Sequence, residues 1–139
     1  MIIASVDLGR ARTGIAVCDK LEILASPFTV ISEKSPQKML QKTAEEILKT
    51  DAELVVVGLP KNMDSSEGES AKYAREFAMK ISEITKIETV MQDERCTTVT
   101  AHNYLNQTDT RGKKRKAVVD AVSAVIILQD FLDARKNKG

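Results

Sequence analysis

Four acidic residues stand at the close of apolar runs or inside one, where acids rarely sit for structural reasons alone. Asp7 ends the run Ile2-Ile3-Ala4-Ser5-Val6, with Leu8 beyond it. Asp93 and Glu94 follow directly on a second apolar run, Ile87 to Gln92. Asp120 is embedded in Ala117-Val118-Val119-Asp120-Ala121-Val122, a stretch apolar around most of a helix's circumference. Such a helix is buried, and an unpaired buried carboxylate is expensive. Each acid also has a local reading: Asp7 or Asp93 as a cap, Asp120 as a charge favoured by a helix N-terminus. Together they have a common one, because two strand ends on one sheet edge and a helix packed beside them can converge. Converged carboxylates raise each other's pKa unless a cation compensates. Mg²⁺ or Mn²⁺ meets that need, taking oxygen ligands from the protein and further ones from substrate phosphates. A pair of such ions can polarise a phosphodiester, generate hydroxide and stabilise the leaving oxygen. A nucleophilic alternative is missing, since Cys96 and the single His102 have no matching triad partner. The chemistry indicated is metal-assisted hydrolysis.

The elements that must position these acids alternate strand and helix. Ile2 to Leu8 reads as a strand ended by Gly9, Arg10 to Gly14 as a turn, and Ile15 to Cys18 as a second strand. So close a return favours an antiparallel hairpin over a crossover. Pro27 to Ile31 reads as a third, edge strand, where proline is tolerated. Ser35-Pro36 opens a helix with serine as N-cap and proline in the first turn. Its apolar stripe is Met39, Leu40, Ala44, Ile47 and Leu48. Leu54 to Gly58 is apolar throughout, as a central strand covered on both faces should be. A polar loop from Leu59 to Glu69 precedes a helix to about Glu83, burying Ala71, Ala74, Phe77, Ala78 and Ile81. After the fifth strand, Ile87 to Gln92, come a short helix, Thr97 to Leu105, and a long final helix, Lys116 to Leu132. The expected architecture is α/β: a five-stranded mixed sheet with helices on both faces.

A chain of 139 residues, 42% hydrophobic, forms one domain over 1–139 with ample core material. Cys18 and Cys96 make neither a metal-type pair nor a disulfide framework, and are expected as reduced thiols. The N-terminus lacks a basic leader, and the longest uncharged apolar run, Ala121 to Leu128, is too short for a bilayer. A cytoplasmic protein without membrane contact is expected. Net charge is +1, but Arg111, Lys113, Lys114, Arg115 and Lys116 lie almost consecutively. Thr108 to Lys116 therefore reads as a mobile, basic loop able to dock nucleic acid, or else as a solvated surface.

Four segments together resemble the YqgF/RuvX family, bacterial relatives of the RuvC resolvase within the RNase H-like superfamily. They are Asp7-Leu8-Gly9-Arg10-Ala11-Arg12-Thr13-Gly14, Gly58-Leu59-Pro60 with Asn62-Met63-Asp64, Asp93-Glu94-Arg95-Cys96-Thr97-Thr98, and Asp120-Ala121-Val122-Ser123-Ala124 leading to Ile127-Leu128. The resemblance covers essentially the whole chain in order. It implies an RNase H-like fold with three antiparallel strands and then two parallel ones. It also implies a metal-dependent nuclease acting on the 5′ end of precursor 16S ribosomal RNA or on Holliday junctions, as monomer or homodimer. By residue, it implies Asp7, Glu94 (or its neighbour Asp93) and Asp120 as catalytic metal ligands. Arg12, Arg95, Thr97 and Thr98 match positions that hold phosphate or orient the carboxylates. Ser65, Cys96 and Ser123 depart from the family pattern, without touching a ligand position.

Other readings exist. An actin- or hexokinase-type ATPase shares the Asp-x-Gly opening but needs two lobes. A receiver domain needs an aspartate ending the central strand, where Gly58-Leu59-Pro60 stands. A non-catalytic RNase H-fold module binding RNA or protein is the remaining rival, and metal binding by wild type and Asp7→Asn separates it from the nuclease.

Overall fold

The computed structural model describes residues 1–9, 11–59, 68–93 and 113–138, with side chains at 1–9, 11–59, 68–92 and 122–136. Strands β1 (Ile3–Asp7), β2 (Arg12–Cys18) and β3 (Ala25–Ser32) follow one another as antiparallel neighbours. Helix α1 (Pro36–Lys49) crosses to β4 (Leu54–Leu59), and α2 (Glu69–Thr85) crosses to β5 (Glu88–Asp93). Both crossovers return parallel, giving the sheet order β3-β2-β1-β4-β5. Helix α3 (Lys113–Lys138) closes the fold.

Period-two alternation splits the core into two layers. Val6, Ile15, Val55, Val57 and Leu59 pack with α1 and α2 through Met39, Ala44, Ile47, Ala71, Ala74, Phe77, Ala78 and Ile81. Ile3, Ala16, Cys18, Leu54 and Val56 pack with α3 through Ala124, Ile127, Leu128 and Leu132. Every residue of β4 is buried, as its unbroken apolar run required. Ser35 caps α1 as expected, its Oγ accepting from the Lys38 amide at 3.4 Å with Pro36 in the first turn.

Several boundaries differ from the sequence reading, each for a physical reason. Arg12 to Gly14 belong to β2 rather than to a turn, because Gly14 pairs with Asp7 and Arg12 with Ser32. Glycine there marks a strand, not a bend. Edge strand β3 is longer than Pro27 to Ile31 and bulges at Phe28, the residue between the Ile15–Thr29 and Ala16–Pro27 pairs. Leu48 lies off the buried stripe of α1 at 51% exposure, and Thr43 takes a core place by bonding back to Met39 O at 2.7 Å.

The final helix starts at Lys113, not Lys116, so Lys113 to Lys116 are helical rather than part of a loop. No acid occupies its first turn. Four cations there oppose the helix dipole, which hides the start from a reading of sequence signals, yet lysine and arginine propagate helix well. It also runs past Leu132, where Arg135 Nε bonds Glu22 Oε1 at 2.9 Å. The expected helix Thr97 to Leu105, the rest of the basic loop from Thr108 to Gly112 and most of the polar loop after β4 lie outside the described residues.

The β1–β2 turn depends on Gly9. A Cβ there would run into the carbonyl oxygen of Arg12, a backbone atom that cannot swing aside. We expect Gly9→Ala to cost about 1–3 kcal/mol, as overpacking does. The same change should lower activity, since the turn carries Asp7 at one end and Arg12 at the other. Denaturant midpoints measure the first effect, and an unchanged midpoint would show that the turn yields freely.

Candidate active site

β1, β4 and β5 run parallel, so their carboxyl ends share one edge of the sheet. Asp7 is the last residue of β1 and is half-buried. Asp93 is the last residue of β5, paired in register with Leu59. Two of the expected acids thus stand at the same edge, separated by the single strand β4.

Four tethers fix how α3 lies across this edge. At the far end, Arg135 bonds Glu22, which also binds the Met1 ammonium at 3.0 Å. Those two cations, the ammonium first, hold the Glu22 carboxyl below its usual range. One level up, Gln129 accepts from the Ala25 amide at 3.0 Å and donates to Ile23 O at 3.2 Å. Ala25 is paired with Cys18, whose Sγ accepts from Ile3 N at 3.2 Å. Higher again, Ser5 Oγ donates to Ala124 O at 2.7 Å, fully buried. The helix therefore runs antiparallel to β1, its residue numbers falling as those of β1 rise. From the Ser5–Ala124 bond, Asp7 is two residues along the strand, roughly 7 Å. Position 120 is four residues back along the helix, about 6 Å in the same direction. The backbone of Asp120 thus reaches the edge that Asp7 ends.

Small side chains permit this closeness. Ser5, Ser123 and Ala124 are all at most 1% exposed. Ser123 Oγ has no hydrogen-bond partner among the described residues, and a buried unpaired hydroxyl costs about 1–3 kcal/mol. We therefore expect Ser123→Ala to raise stability by about 1 kcal/mol or more. A melting temperature that falls instead would mean that the hydroxyl has a partner such as ordered water.

Cys18 is buried, burial pushes its thiol pKa up, and its Sγ donates to Met1 O at 3.6 Å. Among the described residues no three His, Cys, Asp or Glu groups stand together as a metal cluster. The expected set is not among them, since Glu94 and the side chains of Asp93 and Asp120 lie outside the described residues. So do Arg95, Thr97, Thr98, Cys96 and His102, and the side chains of Lys113, Lys114 and Arg115. The backbone of those three cations begins α3, at the end that the tethers direct toward the carboxyl edge of β1. Arg12 is half-buried, two residues before Gly14 on the face that Asp7 shares. Its Nη1 is buried with no hydrogen-bond partner among the described residues, which nothing in the sequence signals.

A mixed sheet of three antiparallel and two parallel strands, with a helix laid over a carboxylate at the end of β1, is the RNase H-like fold. The Thermus thermophilus RuvC structure shares it at a TM-score of 0.59, with 15% identity, covering 99% of this chain and 97% of that one. The Fowlpox virus resolvase, solved with a substrate Holliday junction DNA, shares it at 0.64, with 10% identity, covering 97% and 99%. Among curated proteins, the "Putative pre-16S rRNA nuclease" of Endomicrobium trichonymphae is 39% identical over 137 residues, 98% of each chain. The chain belongs to the RuvX family, described as Holliday junction resolvase, which it matches over residues 1–134. It is accordingly a nuclease, a hydrolase of ester bonds.

Proposed function

We propose that this nuclease is divalent-metal-dependent and processes the 5′ end of precursor 16S ribosomal RNA. The observation that carries the site is the buried Ser5–Ala124 bond, which supports bringing the Asp7 and Asp120 backbone positions to one edge. The substrate follows relatives named as pre-16S rRNA nucleases at 38–42% identity over nearly the whole chain.

The donor set is all carboxylate oxygen, which fits a hard cation, Mg²⁺ or Mn²⁺. Asp7, Glu94 and Asp120 would hold it, with Asp93 as the alternative beside Glu94. Glu94 is preferred over Asp93 because the family resemblance implies it. Bound there, the ion supplies Lewis acidity at the scissile phosphate and a water of lowered pKa. The carboxylates fix its position, and their mutual repulsion keeps the site poised for a cation rather than closed. Arg12, Arg95, Thr97 and Thr98 hold or orient phosphate. Lys113, Lys114 and Arg115 add positive charge at a helix N-terminus, where the dipole already favours an anion. No described helix is long and apolar enough to cross a membrane, and action in the cytoplasm on nucleic acid follows from this reading.

Holliday junction resolution is the second reading, favoured by the family's description and the resolvase likeness. It asks for two active sites related by a two-fold axis, hence a homodimer where the RNA role needs only a monomer. A cleavage assay offering precursor RNA and a four-way junction, with a metal titration and a mass measurement in solution, separates them. Cleavage of the RNA by a monomer is the expected result. Junction cleavage by a dimer alone would replace it, and no cleavage of either with any divalent ion would leave a binding module.

A further inference from the structure

Strand β3 is an outer edge of the sheet, so its backbone groups point alternately toward β2 and away from it. The Glu33 amide bonds Ala11 O at 3.0 Å, toward β2. Counting back by twos, Ile31 and Thr29 also face β2, opposite Thr13 and Ile15. Val30 and Ser32 therefore turn both N–H and C=O outward, and no described residue bonds them from that side. The bulge at Phe28 shifts this alternation. On β2, Val17 shares the direction of Ile15, so Ala16 and Cys18 face β1, and their partners Pro27 and Ala25 face outward. That half of the edge is closed. Gln129 Oε1 takes the Ala25 N–H at 3.0 Å, Pro27 has no N–H to offer, and the bulge breaks the line of the strand. The edge is thus blocked over its first half and open over its second.

Edges left open are usually guarded by charge, and Ala25 to Ser32 carries none. We propose that Val30 to Ser32 pairs antiparallel with the same segment of a second copy of this chain. A two-fold axis normal to the sheet reverses the strand and keeps each face on its own side, so the sheet continues from copy to copy. Val30 then lies opposite the second copy's Ser32, and the reverse, each pair exchanging two backbone bonds. The charges that follow the strand do not clash. Glu33 falls opposite the second copy's Thr29, and its carboxylate is drawn aside by Lys42 Nζ at 2.8 Å and the Ser35 amide at 3.2 Å. Lys34 falls opposite the second copy's Phe28, an exposed ring. The blocked half is the reason to prefer a copy over a foreign strand. A longer foreign strand would run on from Val30 into the bulge and Pro27. In the two-fold register Pro27 falls opposite the second copy's Ser35, which caps α1 after the chain has left the sheet. So short a ladder makes a weak, reversible dimer, and dilute protein stays monomeric. The pairing rests on neither reading of the function.

Sedimentation equilibrium of the full chain from about 1 µM to about 1 mM should show the mean mass rising from monomer toward dimer, as a small interface gives. Val30→Pro and Ser32→Pro each delete an outward donor and leave the bonds to β2 in place, since an edge strand accepts proline there. By symmetry each loses two bonds, so the midpoint of the rise should move up by about tenfold or more. Thermal melts confirm that the variants fold. Amide exchange on the wild type gives a second measure that needs no variant. The Val30 and Ser32 amides should exchange freely when dilute and become protected when concentrated, while those of Thr29 and Ile31 stay protected throughout. Dilute Val30→Pro should cleave as the wild type does, so the fate of the nuclease readings does not decide this one. A mass that stays monomeric over the whole range overturns the pairing and leaves the edge to a foreign strand. A dimer that neither proline weakens overturns it too, since another surface would then hold the copies together. So does protection of both amides in the dilute monomer, which would show that the chain itself covers the edge.

Discussion

Asp7→Asn should reduce cleavage by about a thousandfold or more while the protein keeps its fold. Each factor of ten is 1.36 kcal/mol of barrier, and a metal's stabilisation of a phosphoryl transition state amounts to several kcal/mol. Asparagine preserves the shape of the side chain and one oxygen, so it fits the end of β1 without displacing Val6 or Leu8. The ladder that holds this end, Asp7 opposite Gly14 and Val6 between Ile15 and Val57, is made by backbone and survives the change. What is lost is one of the proposed anionic ligands, on which the affinity for a hard cation would depend. Metal titrations should therefore show weaker binding at the same time as the rate falls. Raising the metal concentration should recover part of the rate. A variant with wild-type metal affinity and rate would mean that Asp7 caps the hairpin and does nothing more.

Those acids were legible because each breaks a strong local pattern, and the fold was legible where pattern is strongest. Ala71, Ala74, Phe77, Ala78 and Ile81 are all buried on α2, as their 3.6-residue spacing required. Pro27 placed β3 at an edge, and the unbroken run Leu54 to Val57 placed β4 inside. Legibility failed where two principles compete. Gly14 looked like a turn but sits in a ladder, because a strand tolerates glycine when its neighbours are paired. The first turn of α3 carries charges of the wrong sign for its dipole, so the helix begins before its expected start. Leu48 fitted the helical period and still faces solvent, off the stripe that Met39, Thr43, Ala44 and Ile47 bury. Of the candidate site, the strand-end places of Asp7 and Asp93 were legible, but not how α3 is laid beside them. That depends on Ser5, an inconspicuous small residue, bonding to a carbonyl 119 residues away. That Arg12 Nη1 is buried with no partner among the described residues is likewise a property of packing.

Asp120→Asn should abolish cleavage as thoroughly as Asp7→Asn, and its effect on stability tells whether the acid is a ligand or a strut. Asp120 stands one helical turn before Ala124, which is buried and bonded to Ser5. Asparagine keeps its shape, so the packing of α3 through Ala124, Ile127 and Leu128 should persist. Without metal, the change removes a charge from the edge where Asp7 and Glu94 are proposed to gather. Relieving like-charge repulsion favours the folded state, so the metal-free variant should melt at or above the wild type. With metal the order should reverse. A ligand that binds only the folded chain stabilises it by RT ln(1 + [L]/Kd), about 2.7 kcal/mol at one hundred times Kd. Wild type should gain that increment from Mg²⁺, and the variant should gain little. A strut behaves oppositely. If Asp120 were the buried partner of a cation, removing its charge would cost about 3–5 kcal/mol with or without metal. Thermal melts of both proteins in chelator and in Mg²⁺ thus give four temperatures that the two roles order differently. A variant that melts well below the metal-free wild type, yet cleaves normally when cold, would show that Asp120 holds the helix rather than the metal.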